Sequence, residues 1–498
     1  MVSSIASQKA GSFDNSSVSL YNAHIDVSGV DERKLLRKLD IALVPWLSFL
    51  YLLSFLDRSS IAKCLYHFEE DLHISDNQYL IALTIFFFSY ALFEVPSNIL
   101  LKRLRPSVWL STLILLWGVT MTVQGLVHNY GSLLGVRWLL GTFEAGLFPG
   151  INYYLSCWYK RSEFGVRAAV FFSAATVSGA FGGLLAAAIS NMEGVGGKPA
   201  WAWIFILEGL VTVVVGVASF WIIQDFPDTA KFLSEKERTV VVRRLQGDDQ
   251  FSANGEEFQV KYIKQSFLDW KTCIGVLIFA GAAMPMHTFS LFLPSIIHQA
   301  SVSLIKCYEA TQANLLAVPV YALACIVTCI VGFSADRCGR RGYFNLVFFG
   351  IVTWVGATGY IILIVSRNAA LSYFAVYLAA CAWLSNNVEG AYKRGVTLAM
   401  VISLGNLNGA VSANVYRADN MPWYPLGLVL LYLGIGAAFS IVYLILLKRE
   451  NKKRERGERD EVISDSTEKM PEENGRFATV SDAKMEKGDM WSGYRYTL

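Results

Sequence analysis

Along the chain, long apolar runs that carry few charges alternate with shorter polar segments, many of them basic. The runs fall at Leu39–Leu56, Tyr79–Leu101, Ser107–Val127, Leu133–Tyr154, Val166–Ser190 and Ala202–Ile223, then at Lys271–Ile297, Thr311–Phe333, Tyr343–Val365, Leu371–Ala391, Val396–Tyr416 and Tyr424–Leu447. Most are near the ~20 residues that a helix needs to cross a bilayer's hydrocarbon core. They are continuously apolar and do not alternate with the period of two that a barrel strand requires, so helices are predicted. The pattern therefore predicts an all-α membrane protein of twelve transmembrane helices in two pseudo-symmetric six-helix bundles. The expected plan is a disordered tail over residues 1–38 and a first bundle over 39–223. A central loop over 224–270, a second bundle over 271–447 and a disordered tail over 448–498 complete it.

Composition narrows the class further. Charged residues make up 17% of the 498 and hydrophobic residues 54%, with a mean hydropathy of +0.41. A soluble protein carries about 25% charge, and its core stops growing near ~250–300 residues. The lipid bilayer is the expected partner, and a net charge of +3 gives no reason to expect nucleic acid. The polar opening contains no secretory signal. Short loops set the orientation by their Lys and Arg excess. Arg33, Lys34, Arg37 and Lys38, then Lys102, Arg103 and Arg105, then Lys160 and Arg161 fall on one side, as do the central loop and the tail from Lys448. Both termini are expected to be cytoplasmic. The basic loops after spans two and eight begin about 61 and 63 residues into their halves, as a duplicated unit with a site between the halves would leave them.

Ionisable residues inside the spans carry the functional reading, because each costs ~2.5–3.5 kcal/mol at a helix centre unless it is paired or faces water. Arg137 and Glu144 lie seven apart in span four, on one helix face and about 10 Å apart along the axis. That is too far for a tight pair within the helix, so each seeks a partner on another helix or on a ligand. A proton-coupled anion carrier needs such a cation and such an acid; a structural network between helices is the plainer alternative. Asp57-Arg58 closes span one near the outer surface if that span ends at Leu56, and sits inside the membrane if it runs on to about Tyr66. Glu94, beside Pro96 near the inner end of span two, is expected to lock helices or gate. Glu208 and Glu389 are less decided. Asn406 in span eleven either packs among glycines or faces the cavity, and Tyr90, His287, Trp383, Ser385 and Asn386 are candidate lining.

The string from Gly332 to Arg341 holds Asp336, Arg337, Gly339, Arg340 and Arg341. It can form a charge clamp with a tight turn at Gly339. It resembles the loop signature of the major facilitator superfamily, and the resemblance implies gating of the inward face. The eight cysteines form no metal-like set, and no phosphate-cradling glycine loop suggests ATP coupling. The expectation is no cofactor, with a proton gradient as energy source, and a monomer.

Further strings are similar to the anion:cation symporter family, in particular its fungal allantoate permease branch of nicotinate, pantothenate, biotin and ureido-acid carriers. They include Tyr51 to Arg58, Phe93-Glu94-Val-Pro96-Ser-Asn98, Gly141 to Gly150 and Asn406 to Gly409. The resemblance implies proton-driven uptake of a small organic anion. It assigns coupling to Asp57 and Glu144, and substrate contact to Arg58, Arg137, Tyr90 and Asn406. Competing readings are a proton-antiport exporter, a non-transporting nutrient sensor and a membrane enzyme, the last of which lacks any nucleophile or metal cluster. The plasma membrane is the expected location, with the endoplasmic reticulum or another endomembrane as the alternative.

Overall fold

The computed structural model describes residues 21–22, 24–63, 68–247, 269–302, 310–338, 351, 354–363, 365, 371, 374, 396–415, 424–463, 476–477 and 490–493. The predicted motif from Gly339 to Arg341, the side chains of Asp336 and Arg337, and Trp383, Ser385, Asn386 and Glu389 lie outside the described residues. The first half holds α1 (Glu32–Lys63), α2 (Phe68–Asp71), α3 (Asp76–Arg103), α4 (Pro106–Gln124), α5 (Tyr130–Glu144), α6 (Leu147–Ser156), α7 (Arg161–Ile189) and α8 (Ala200–Ile222). A short amphipathic helix, α9 (Glu235–Gln246), lies in the stretch read as a loop. The second half shows α10 (Trp270–Val302), α11 (Ala310–Cys338), α12 (Trp354–Leu363), α13 (Val396–Val415) and α14 (Tyr424–Glu455). Among the described residues, six helices are long and apolar enough to cross a membrane.

Several helices overrun the hydropathy reading, α14 reaching Glu455 inside the stretch read as a disordered tail, and two departures in the first half have local reasons. The first helix begins at Glu32 and continues through Asp57 and Arg58 to Lys63, because the charged residues inside it find partners on other helices. The fourth run is broken into α5 and α6 at Ala145-Gly146. Pro149 has no N–H to give the carbonyl of Ala145, so the helix loses the bond that would carry it straight through.

The halves meet where α7 packs on α11 and α3 on α13. At the second of these seams, Asn414 Nδ2 donates to Thr84 Oγ1 at 2.6 Å and the Ser403 hydroxyl to the Ala91 carbonyl at 2.5 Å, so the two helices run antiparallel. A Cβ on Gly409 would stand 2.1 Å from the Phe87 ring, so only glycine permits this approach. In the first half, Tyr51 of α1 stacks on Phe171 of α7 and Phe148 of α6, at 4.3 and 5.5 Å between centroids.

The end of the first half that carries the basic loops is tied by ion pairs. Arg167 makes two bonds to Asp40, at 2.9 and 2.7 Å, while its guanidinium lies over Tyr159. Arg244 of α9 bonds Glu163, and Lys38 reaches Glu237 at 2.7 Å. Burial alone would raise the Glu237 carboxyl, but the bonds from Lys38 and Ser234 hold it below its ordinary range. The Arg243 guanidinium donates to the carbonyls of Tyr21, Asn22 and Ile25 and so fastens the segment before α1 onto α9.

Candidate functional site

A cluster of ionisable and aromatic side chains sits inside the first half, on the side that faces α13 and α10. It is organised by α1. Ser54 and Arg58, four residues apart, both reach Glu144 of α5, while Asp57 turns to α4 and α8. Asp57 is fully buried. Its Oδ2 accepts from Trp117 Nε1 of α4 at 2.8 Å and from the Thr212 hydroxyl of α8 at 3.1 Å, while Oδ1 has no hydrogen-bond partner. One turn away on α1, Ser60 donates to Glu208 of α8.

Arg58 points the other way. Its Nη2 and Nε donate to Glu144 Oε1 at 2.6 and 3.2 Å, and Ser54 donates to the same oxygen at 2.6 Å. Glu144 Oε2 is left with no hydrogen bond. Three rings box the guanidinium, with Tyr90 at 4.9 Å, Phe55 at 5.1 Å and Phe86 at 5.5 Å from centroid to Cζ. Such rings favour a cation that has lost its water. Phe86 and Tyr90 lie four apart on α3, which places both on one face.

The meeting of α1, α3 and α5 depends on close backbone approach. A Cβ on Gly141 would come 2.1 Å from the Ser89 hydroxyl and 2.4 Å from the Phe86 carbonyl. Glycine there lets α5 lie on α3 and delivers Glu144, three residues further, to Arg58. Both members of the pair are buried, at 7% and 0% side-chain exposure.

The other predicted residues fall around this pair. Arg137 is buried two turns before Glu144 on α5. Glu94 is buried one turn beyond Tyr90 on α3, beside the side-chain amide of Asn406. Asn406 Oδ1 pairs with His287 Nε2 of α10 at 3.3 Å, and Phe87 packs edge-on against that imidazole at 5.2 Å. The geometry thus brings Arg58, Glu144, Tyr90, Glu94, Asn406 and His287 to one region between the halves, with Asp57 on the opposite side of α1. Ser54, Phe55, Phe86, Trp117 and Thr212 were not singled out from the sequence. The i, i+3 and i, i+4 spacing of Ser54 and Phe55 to Arg58, and of Phe86 to Tyr90, was the available signal. No group of His, Cys, Asp and Glu that could hold a metal occurs among the described residues.

The buried Arg58–Glu144 pair thus sits in a helical bundle, beside the seam between its two halves. The sequence profile of the Major Facilitator Superfamily matches residues 47–413, and the chain belongs to that family. It is similar to the MFS transporter prlL of a fungal species (strain NRRL 50135), at 36% identity over 82% of this chain and 84% of that protein. The MFS-type transporter cnsO of Penicillium expansum is 32% identical over 89% of each. Among solved structures, a bacterial homologue of the human lysosomal transporter Spinster superposes with a TM-score of 0.56, at 16% identity, over 80% of this chain and 96% of that one. The protein is a multi-pass membrane transporter with the fold of this superfamily.

Proposed function

We propose that the protein is a proton-coupled symporter that takes up a small organic anion by alternating access, with both termini in the cytoplasm. The observation that carries this reading is the buried Arg58, held by one oxygen of Glu144 and walled by Phe55, Phe86 and Tyr90. A substrate carboxylate takes the place of the Glu144 carboxylate on Arg58. A proton on Glu144, or on Asp57 across α1, weakens the hold of the acids on the arginine and makes it available. Proton and anion therefore favour each other's binding, and by linkage each raises the other's affinity by the same factor. Arg137 adds positive potential two turns away, Tyr90 forms the floor beneath the carboxylate, and Asn406 contributes from the second half. The loop from Asp336 to Arg341 gates the inner face. The substrate class follows the family resemblance: a carboxylate vitamin of the nicotinate type, or a ureido acid, entering across the plasma membrane.

The test is radiolabelled uptake of a panel of carboxylates by cells expressing the protein, at two external pH values. Uptake of at least one acid should rise as external pH falls and collapse with a protonophore. Uptake that is independent of pH rejects proton coupling, and export of the same acids rejects the direction.

A further inference from the structure

The last helix outruns its own apolar stretch. The exposed apolar face of α14, marked by Leu431, Ile441, Val442 and Ile445, ends at Ile445. The helix continues to Glu455, about 15 Å further. This extension has two unlike faces. On one, Leu447, Asn451 and Arg454 are buried. The chain returns to Arg454, whose guanidinium donates to the Trp491 carbonyl at 3.3 Å. The Ser492 N–H donates to Glu461 at 3.0 Å, and Val462–Ile463 pairs in parallel with Arg476–Phe477.

On the other face, Arg449, Lys452, Lys453 and Arg456 are exposed. At 3.6 residues per turn these four fall within an arc of about 100°, which overlaps the arc holding Leu431, Ile441, Val442 and Ile445. The basic stripe therefore continues the apolar stripe in line. The acids of the extension sit off this arc. Glu450 lies outside it and accepts two bonds from Arg459, at 2.9 and 3.3 Å. Glu455 also falls outside it. Arg456 has Glu458 as a neighbour, but that pair is 3.6 Å apart and open to water, where it contributes little. Among the described residues, the side chains of Arg449 and Lys452 make no ion pair. A topology signal needs only enough Lys and Arg beside a span, on any face. Sorting them into line with the apolar stripe suits a charged surface that lies alongside the helix.

We infer that Arg449, Lys452, Lys453 and Arg456 form a binding surface for anionic phospholipid of the cytoplasmic leaflet, gripping headgroups where α14 leaves the hydrocarbon. The inference rests on the reading that the C-terminus is cytoplasmic, the side on which the leaflet is anionic. Arg449 and Lys452 stand about 6 and 10 Å past Ile445, and the headgroup layer is about 5–8 Å deep. Lys453 and Arg456 stand further out and bend their long stems back toward it. Each basic residue near an anionic surface strengthens binding by about fivefold. Because α14 packs along α10, the lipid anchors the second half at that leaflet.

The test is native mass spectrometry of the purified full chain, titrated in mild detergent with phosphatidylserine or with phosphatidylcholine. The first phosphatidylserine should bind about tenfold or more tightly than the first phosphatidylcholine, and the difference should shrink as salt rises. The variant Arg449→Gln/Lys452→Gln/Lys453→Gln/Arg456→Gln should bring the two lipids within about twofold. Arg449→Lys/Arg456→Lys should keep the preference, because the charge is retained. A control, Arg33→Gln/Lys34→Gln/Lys231→Gln/Lys236→Gln, changes four exposed basic residues elsewhere and should also keep it. Equal binding of the two lipids by the wild type overturns the surface, whatever the variants do. So does a loss in the control as large as in the first variant, since net charge alone would then attract the lipid. Neither result touches the transport reading, which stands on uptake. Orientation is tested separately with protease added outside intact cells: an intact tail supports the leaflet assigned, and a cleaved one overturns it.

Discussion

Replacing Glu144 with Gln separates two consequences of one buried pair. The change removes the charge opposite Arg58 while keeping the side-chain size. Arg58 and Glu144 are both sealed from solvent, and breaking a buried pair by neutralising one member costs about 3–5 kcal/mol, because the remaining charge has no counterion. The purified variant should therefore melt well below the wild type. It should also bind a carboxylate substrate more tightly. In the wild type the incoming anion must displace two N–H bonds to Glu144 Oε1, at 2.6 and 3.2 Å. Hydrogen bonds to a charged group are worth about 1.5–3 kcal/mol, which at 1.4 kcal/mol per decade is about a 10- to 100-fold gain in affinity. The anion should accordingly raise the melting temperature of the variant more than that of the wild type. The assays are thermal unfolding and equilibrium binding of whichever acid the uptake panel identifies. The double variant Arg58→Met/Glu144→Met should regain most of the lost stability and bind no anion, since apolar residues of similar volume replace a buried pair at little cost. A Glu144→Gln protein that binds the anion no more tightly than the wild type would refute the competition between Glu144 and substrate for Arg58. In transport, the same variant should keep exchange of substrate across the membrane and lose uphill accumulation.

Other expectations follow from individual contacts. Gly141→Val should destabilise by about 1–3 kcal/mol through overpacking against Ser89 and the Phe86 backbone, whereas Gly135→Ala, with open space around it, should change melting by less than about 1 kcal/mol. Trp117→Phe removes a donor to the Asp57 carboxylate and should cost about 1.5–3 kcal/mol; Trp46→Phe, whose indole donates to the neutral Ser219 hydroxyl, should cost about 0.5–1.5 kcal/mol in the same unfolding assay. Arg243→Ala should speed amide exchange in α9 and in the segment from Tyr21 to Ile25 that this side chain fastens, with little change in α4. Glu237 is held below its ordinary value of 4.5, so its contribution to the docking of α9 is present above that pH and is lost as pH falls through the lowered value. Exchange in α9 should rise on acidification, and Glu237→Gln should remove that response.

Much of the architecture could be read along the chain. Helices, their approximate number per half, and the buried acids and arginines all follow from local properties: the length of apolar runs and the cost of a charge in hydrocarbon. Those properties belong to single residues and short windows, so a linear sequence displays them. Hydropathy ends span one at Leu56, because Asp57 and Arg58 look like the start of a polar loop. The helix instead continues to Lys63, since Trp117, Thr212 and Glu144 supply partners that no window around residue 57 contains. Pairing was likewise beyond the sequence. Arg58 and Glu144 are 86 residues apart, and their contact depends on the rotation of α1 and on the glycine that lets α5 settle against α3. The same holds for Glu94, which reads as a lock near a helix end and lies beside Asn406 only because α13 packs flush on Phe87. The chain by itself determined which side chains lipid could not tolerate alone. The packing of helices decided which of them would meet, because lateral neighbours and helix rotation depend on contacts between segments far apart in sequence.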